Sequence, residues 1–319
     1  MTNRAVAKKM ATKVPSINFD NGILIVGASG FLGSNILLAA QADYRCIAHS
    51  SSHEISLEGI IGIQSDLKFA KSGIDLVSEL APSLVVNCAA LADIDKCENN
   101  PELAQRLNAD LAAEIAIGCR NVGAKLVHVS TDAVFGKSDG MLDIDSPRSP
   151  INVYGHTKSE GESNVMELHP SSLIVRTNII GWSPTGTRSL LEFFYNALNN
   201  GKSVGGYHDY KFRPVSASNF WPLVLDWVID EKFGIHHAFG SDLISKYEFG
   251  RRVARTFDLD ADLIIPKSMF QDETMDLRPK CLNLRPSEVT RNILLDIDLA
   301  LEELRNLAGL GYRKKLSSI

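Results

Sequence analysis

Two short stretches carry side chains suited to proton transfer. Ser130 and Thr131 close an apolar run in "STDAVFG", and Tyr154 and Lys158 stand four residues apart in "YGHTK". On a helix, residues i and i+4 share a face. A free tyrosine has a pKa near ~10 and is a poor acid–base group at neutral pH. A neighbouring ammonium stabilises the phenolate, and each pKa unit gained is worth about 1.4 kcal/mol. The spacing predicts such a tuned pair. Tyr and Lys at this separation are nevertheless common on solvated helices, so the elements around them decide what they are worth.

A second constellation sits near the N-terminus. "GILIVGASGFLG" places Gly27, Gly30 and Gly33 between an apolar run and a helical pattern. A nucleotide's phosphates need a tight turn, a close backbone approach and a helix N-terminus with free N–H groups. Gly27, Ser29, Gly30, Phe31, Leu32 and Gly33 are the candidate cradle. The second strand-like run ends at His49, Ser50 and Ser51, where an acid would suit the ribose 2′-hydroxyl of NAD. With no carboxylate there, a 2′-phosphate meets no repulsion and could bond the hydroxyls and the imidazole. NADP(H) is therefore favoured, with NAD(H) the alternative. Asp66, followed by Leu67, ends the third run and suits an adenine amino group. Cys88, Ala89 and Ala90 follow the fourth run and are small enough for a cofactor to pass close by. Asn108 lies within a helical pattern, where asparagine is unfavourable unless it bonds something.

Behind these residues the chain alternates short apolar runs with helical segments. Strands are expected at Gly22–Val26, Tyr44–Ala48, Gly59–Gln64, Leu84–Cys88, Lys125–Ser130 and Leu173–Arg176, and helices at Phe31–Ala42, Ser72–Leu80, Pro101–Val122 and Tyr154–His169. Near-continuous apolar strands separated by helices predict a parallel sheet covered on both faces. Ligands on such sheets bind at the carboxyl ends of the strands, where each candidate above falls. The fold class is thus α/β, a Rossmann-type doubly wound parallel sheet with a smaller α/β substrate-binding region. Residues 1–20 are expected to form a flexible tail and 21–177 the nucleotide-binding domain, with 211–240 contributing to it. Residues 178–210 and 241–319 are left for the substrate region, with helices at Ser189–Asn199, Asn219–Ile229, Ser245–Phe257 and Ser287–Leu307.

Composition excludes several classes. At 319 residues the chain can bury a sizeable core. A formal net charge of −5 argues against nucleic-acid binding by bulk charge. Five scattered cysteines without a CxxC pair point to reduced thiols in the cytoplasm and to no metal site. The stretch from Asn21 to Ala42 is uncharged for 22 residues, but its glycines and polar residues suit strand, turn and helix better than a membrane span. The basic residues Arg4, Lys8, Lys9 and Lys13 precede no apolar signal core, so a tail is expected, with an organelle-targeting peptide the alternative. The His236-His237 pair has no partner at ligand spacing and reads as structural.

GASGFLG, NCAA, STDAVFG and YGHTK occur in the order in which they occur in the extended short-chain dehydrogenase/reductases, and residues 22–290 resemble that branch. Within it the chain is most similar to the dTDP-4-dehydrorhamnose reductase family, through "ADIDKCENNPELAQRLNAD", "STDAVFG" and "LRPKCLNL". The resemblance implies reduction of a 4-keto nucleotide sugar. Thr131 would bond the reacting oxygen, Tyr154 would donate the proton, and Lys158 would hold the cofactor ribose and tune Tyr154. It also implies Ala92, Asp93, Thr131, Ala133, Trp182 and Arg278 as substrate contacts, with Arg278 suited to a diphosphate. Ala133 stands where that family commonly has an aromatic residue, and the aromatic, basic 207–220 segment could substitute for it. The expected partner is a nucleotide sugar; a homodimer is compatible with this reading. Two alternatives remain open: a nucleotide-sugar epimerase or dehydratase, and a non-catalytic NADP-binding subunit resembling the methionine adenosyltransferase regulatory subunit.

Overall fold

A computed structural model describes residues 19–136, 140–279, 282–288 and 296–319. The basic tail over 1–18, the middle of the 136–140 loop and Cys281 lie outside the described residues.

Seven strands form one parallel sheet: β1 Ile23–Val26, β2 Cys46–Ser50, β3 Ile60–Gln64, β4 Leu84–Asn87, β5 Lys125–Thr131, β6 Leu173–Thr177 and β7 Gly234–Ala238. Their order across the sheet is β7-β6-β5-β4-β1-β2-β3. The chain winds outward from β1 to β3 and then returns to lay β4 on the other side of β1. That reversal leaves a crevice beyond the carboxyl ends of β1 and β4, where doubly wound sheets bind ligands. Side chains alternate across a strand, so β1 feeds two cores. Ile23 and Ile25 pack with Ile36, Trp182 and Phe220 on one face, and Leu24 and Val26 with Val77, Leu111 and Ile115 on the other.

The turn after β1 shows why glycine is needed there. Gly27 has φ +81°, and a Cβ on it would stand 3.0 Å from Ala89 N in the loop after β4. Gly33 lies in the first turn of α1 (Phe31–Ala40), where a Cβ would collide with Gly27 O and lie 2.9 Å from Ala28 Cα. Both obstacles are backbone and cannot swing away. Gly33→Ala is expected to lose about 1–3 kcal/mol of stability from overpacking, measured by urea denaturation; a loss below about 0.5 kcal/mol would show that the turn tolerates a side chain.

The segment expected as one helix over Pro101–Val122 is broken. It runs as α-helix over Pro101–Gln105, widens into a π-turn over Arg106–Asp110, and resumes as α-helix over Leu111–Val122. Asn108 sits in the wide turn and bonds outside the helix. Such insertions often mark functional sites.

The helix carrying Tyr154 and Lys158 spans Val153–Leu168. Its N-cap, Asn152, accepts from Gly155 N at 2.7 Å and donates to Leu277 O at 2.8 Å. Glu98 Oε1 accepts from Val153 N at 2.7 Å. The first turn is therefore fixed from two distant parts of the chain. After β6, Leu190–Asn199 begins with a Ser189/Glu192 capping box. The helix Lys246–Thr256 follows the short pairing of Phe212 with Ile244, and that pairing brings Lys246 to the crevice. The helix expected from Ser287 is seen over Ile297–Gly309, and residues 289–295 are outside the described ones.

Candidate active site

Two adjoining cavities, about 200 and 460 Å³, share Gly30, Cys88 and Ala90 along the strand ends. The smaller is bounded by the glycine turn, by His49 near the end of β2 and Ser51 just after it, by Asp66, Leu67 and Lys68 after β3, and by Ala89. The larger holds Phe31, Leu32, Ala92, Thr131, Tyr154 and Lys158. The candidate reaction centre and the candidate cradle thus form one groove.

Thr131 ends β5. Its Oγ1 donates to Asp132 Oδ1 and accepts from Ala133 N, both at 3.1 Å. Asp132 Oδ2 accepts from Asn178 Nδ2 at 2.7 Å. Burial pushes the Asp132 carboxyl up, while Asn178, Thr131 and Lys246 draw it down. Tyr154 is half-buried, and desolvation drives its hydroxyl well above the ordinary tyrosine value despite the opposing Thr131 hydroxyl; the Asp132 carboxylate adds to the rise. The ammonium tuning expected for this pair is not seen in this geometry. The Lys158 Nζ donates to Val129 O at 2.7 Å and lies 3.3 Å from His128 Nε2. Burial holds the Lys158 amine down to about 8, against the pull of Glu162 and Cys88. What this arrangement offers is a protonated phenol beside a threonine hydroxyl, with an amine one helical turn away.

Several expected residues stand outside the groove or turn their polar atoms from it. Gly33 is spent on helix–strand packing. Ser50 is fully buried, its hydroxyl turned onto His53 O. His49 directs Nε2 at Ser65 O, 3.0 Å away, so Nε2 carries the hydrogen and Nδ1 offers a 2′-phosphate only a lone pair. Burial lowers its pKa and opposes the doubly protonated form that could donate from both nitrogens. Asn108 lies behind the wall: Oδ1 accepts from Leu91 N at 2.8 Å, while Nδ2 donates to Leu91 O at 3.1 Å and to Thr157 Oγ1 at 3.0 Å. It positions the β4 loop against the Tyr154 helix rather than touching a ligand.

On the substrate side, Ala92 lines the groove and four other candidates do not. Asp93 caps a short helix through Lys96 N. Ala133 is 5% exposed, facing the interior. Trp182 is fully buried, its indole N–H donating to Leu304 O at 2.8 Å. Arg278 is held by Asp95 in two 2.9 Å contacts. His237, read as structural, accepts from Arg176 Nη1 at 3.4 Å through Nε2 while Nδ1 donates to Arg285 O at 3.0 Å.

Sequence reasoning missed two cations. Arg188 and Lys246 line the larger cavity beside Phe212. The Lys246 ammonium lies 3.7 Å from the centre of the Tyr210 ring, and burial lowers it to about 8. Tyr210 and Phe212 belong to the aromatic segment singled out in the sequence. Lys246 lay beyond it, and the two meet through the pairing of Lys211–Phe212 with Ile244–Ser245 and the bond from Lys246 N to Tyr210 O at 3.0 Å. Lys68, ion-paired to Asp66 at 3.4 Å, is a cation lining the smaller cavity.

Comparison with known proteins follows the same lines. The family model described as "RmlD substrate binding domain" matches residues 21–306. The Haloferax volcanii protein named "Probable low-salt glycan biosynthesis reductase Agl14" is 28% identical over 82% of this chain and 89% of its own length. A dTDP-4-dehydrorhamnose reductase of Mycolicibacterium smegmatis is 32% identical over 76% of this chain and 72% of its own. Methionine adenosyltransferase 2 subunit beta of Xenopus tropicalis is 26% identical over 82% of this chain and 78% of its own. Among solved structures, a dTDP-4-dehydrorhamnose reductase from Clostridium acetobutylicum superposes with TM-score 0.74 at 25% identity, covering 90% of this chain and 99% of that one.

Proposed function

The chain belongs to the RmlD substrate binding domain family, and from that premise we propose that it is an NAD(P)H-dependent reductase of a nucleotide-linked 4-keto sugar. The observation that carries this reading is the single groove joining the glycine turn to Thr131, Tyr154 and Lys158. The fit to a dinucleotide rests on the close Gly27–Ala89 approach, the free N–H groups at the start of α1 and the small residues after β4. The nicotinamide supplies the hydride when bound. Thr131 Oγ1 orients the keto oxygen, and Tyr154 gives it the proton as it becomes an alkoxide. The raised Tyr154 pKa keeps that proton in place across the neutral range. Lys158 is the group positioned to meet the ribose hydroxyls, and Arg188 and Lys246 offer positive charge to a diphosphate. The choice between NADP(H) and NAD(H) turns on Lys68 and Ser51 rather than His49.

The test is oxidation of NADPH and of NADH by the purified protein with dTDP-, UDP- and GDP-linked 4-keto sugars. At least one sugar is expected to be consumed with stoichiometric loss of reduced cofactor. Tight cofactor binding with no turnover on any of them would sink the reductase reading and favour the non-catalytic class, to which the similarity to an adenosyltransferase subunit also points.

A further inference from the structure

Behind Lys158 lies a row of buried polar groups with no part in the reaction just described. Asn87 ends β4 and His128 faces it in the parallel register of β5. Each is 1% exposed. Four contacts run in line. Ala89 N–H donates to Asn87 Oδ1 at 3.1 Å. Asn87 Nδ2 lies 3.1 Å from His128 Nδ1, and His128 Nε2 lies 3.3 Å from Lys158 Nζ. Lys158 Nζ donates to Val129 O at 2.7 Å.

The two ends of this row are backbone groups of fixed sense. The Ala89 N–H only donates, and the Val129 carbonyl only accepts. Asn87 must therefore show its oxygen to Ala89 and its N–H to His128. Nδ1 then accepts, and in a neutral imidazole the hydrogen sits on Nε2. That N–H points at Lys158, which can receive it only through a lone pair. An amine has one; an ammonium has none. Turning the Asn87 amide over gives no relief, because it sets Nδ2–H against Ala89 N–H.

We propose that His128 is a positioning residue whose tautomer is coupled to the charge of Lys158. The ring is Nε2–H when Lys158 is an amine and Nδ1–H when it is an ammonium, and the second state leaves two donors facing each other at Asn87. The row thereby favours the amine and ties the charge of Lys158 to the backbone at Ala89, which borders the smaller cavity. Other groups face the lysine too. Glu162, one turn along its own helix, and Cys88, after β4, favour the charged form, while burial opposes it. Tyr154 lies one turn earlier, and Glu162 is itself ion-paired to Arg176 on β6 at 2.8 Å. His128 is kept neutral by its own burial and by the nearby lysine charge. Calling His128 a positioning residue rests on the reductase reading; the coupling itself belongs to the protein alone.

The test needs no substrate. In protein carrying nitrogen-15 histidine and lysine, ring and Nζ shifts are followed from about pH 6 to about pH 10, a span that brackets the depressed lysine. The His128 ring is expected as Nε2–H wherever Lys158 is an amine, and to change to Nδ1–H, without gaining a proton, as Nζ becomes charged. In Asn87→Asp, a carboxylate accepts from both Ala89 N–H and His128 Nδ1–H, which reverses the sense of the row. That variant is expected to show Nδ1–H throughout, with the lysine titration raised by at least about one unit. The proposal is overturned by an Nδ1–H ring beside an amine in the unmodified protein. It is equally overturned by a ring that keeps one tautomer while Nζ titrates, or by an ammonium that persists to the top of the range.

Discussion

Tyr154→Phe is expected to lower kcat by about 10²- to 10⁴-fold, the usual worth of a positioned general acid, while the affinity for reduced cofactor stays within about twofold. That loss corresponds to roughly 3–5 kcal/mol of transition-state stabilisation. The hydroxyl is the only group removed, and the ring keeps its place in the first turn of a helix anchored through Asn152 and Glu98. Because burial and the Asp132 carboxylate hold the phenol protonated, the unmodified protein begins each turnover with the donated proton already on Tyr154. The lost term therefore falls on kcat rather than on cofactor binding. Stopped-flow oxidation of NADPH and a fluorescence titration separate the two quantities. A Phe variant that kept more than a tenth of its kcat would show that the proton comes from elsewhere, with Asp132, whose carboxyl is also pushed upward, the next group to replace.

The parts of this site that were legible in the sequence are those whose demands are local. A glycine that must let one backbone pass another, as Gly27 does against Ala89, leaves its mark in a few adjacent letters. The apolar runs of β1, β4 and β5 read as buried strands because both of their faces are covered. The Tyr154 helix was placed to within one residue at each end, since its Asn152 cap and its spacing lie side by side. The π-turn was not legible. Widening a helix by one residue changes no composition, and the bonds that Asn108 makes from it to Leu91 and Thr157 span distant segments. Lys246 was invisible for the same reason: what makes it a groove residue is the Tyr210 ring beneath it and Asp132 opposite. Trp182 failed in the other direction. The resemblance implied a substrate contact, but here the ring meets Tyr195 and Phe257 edge to face, lies under the Arg313 guanidinium and belongs to the core. His49 and Ser50 were correctly placed at the end of β2, yet which way each side chain turns was beyond the reach of spacing.

Glu162→Ala is expected to cost about 3–5 kcal/mol of folding stability, the range for removing one partner of a buried ion pair. Glu162 is fully buried and Arg176 is 1% exposed. Arg176 grips the carboxylate from both sides, Nε to Oε1 at 2.9 Å and Nη2 to Oε2 at 2.8 Å. Ser130 donates to Oε1 at 2.6 Å, and Arg148 lies 3.4 Å from Oε2. Truncating the acid strands a guanidinium whose remaining neighbours are the Ile144 carbonyl, a neutral His237 and the Phe135 ring, none of which carries the balancing charge. Most of the cost is the exposure of that unpaired cation to a low-dielectric interior rather than the loss of attraction. Glu162→Leu combined with Arg176→Met is therefore expected to be less destabilised than either single change, because both charges leave together. Urea denaturation of the four proteins measures the coupling, and additive losses would show that the pair does not act as a unit. The same carboxylate raises the Lys158 pKa from one helical turn away. Glu162→Gln, which keeps the shape and part of the bonding, is then expected to shift the Lys158 titration downward while costing less stability than the alanine. An unmoved lysine in that variant would uncouple the ion pair from the reaction centre and leave Glu162 a role in the fold alone.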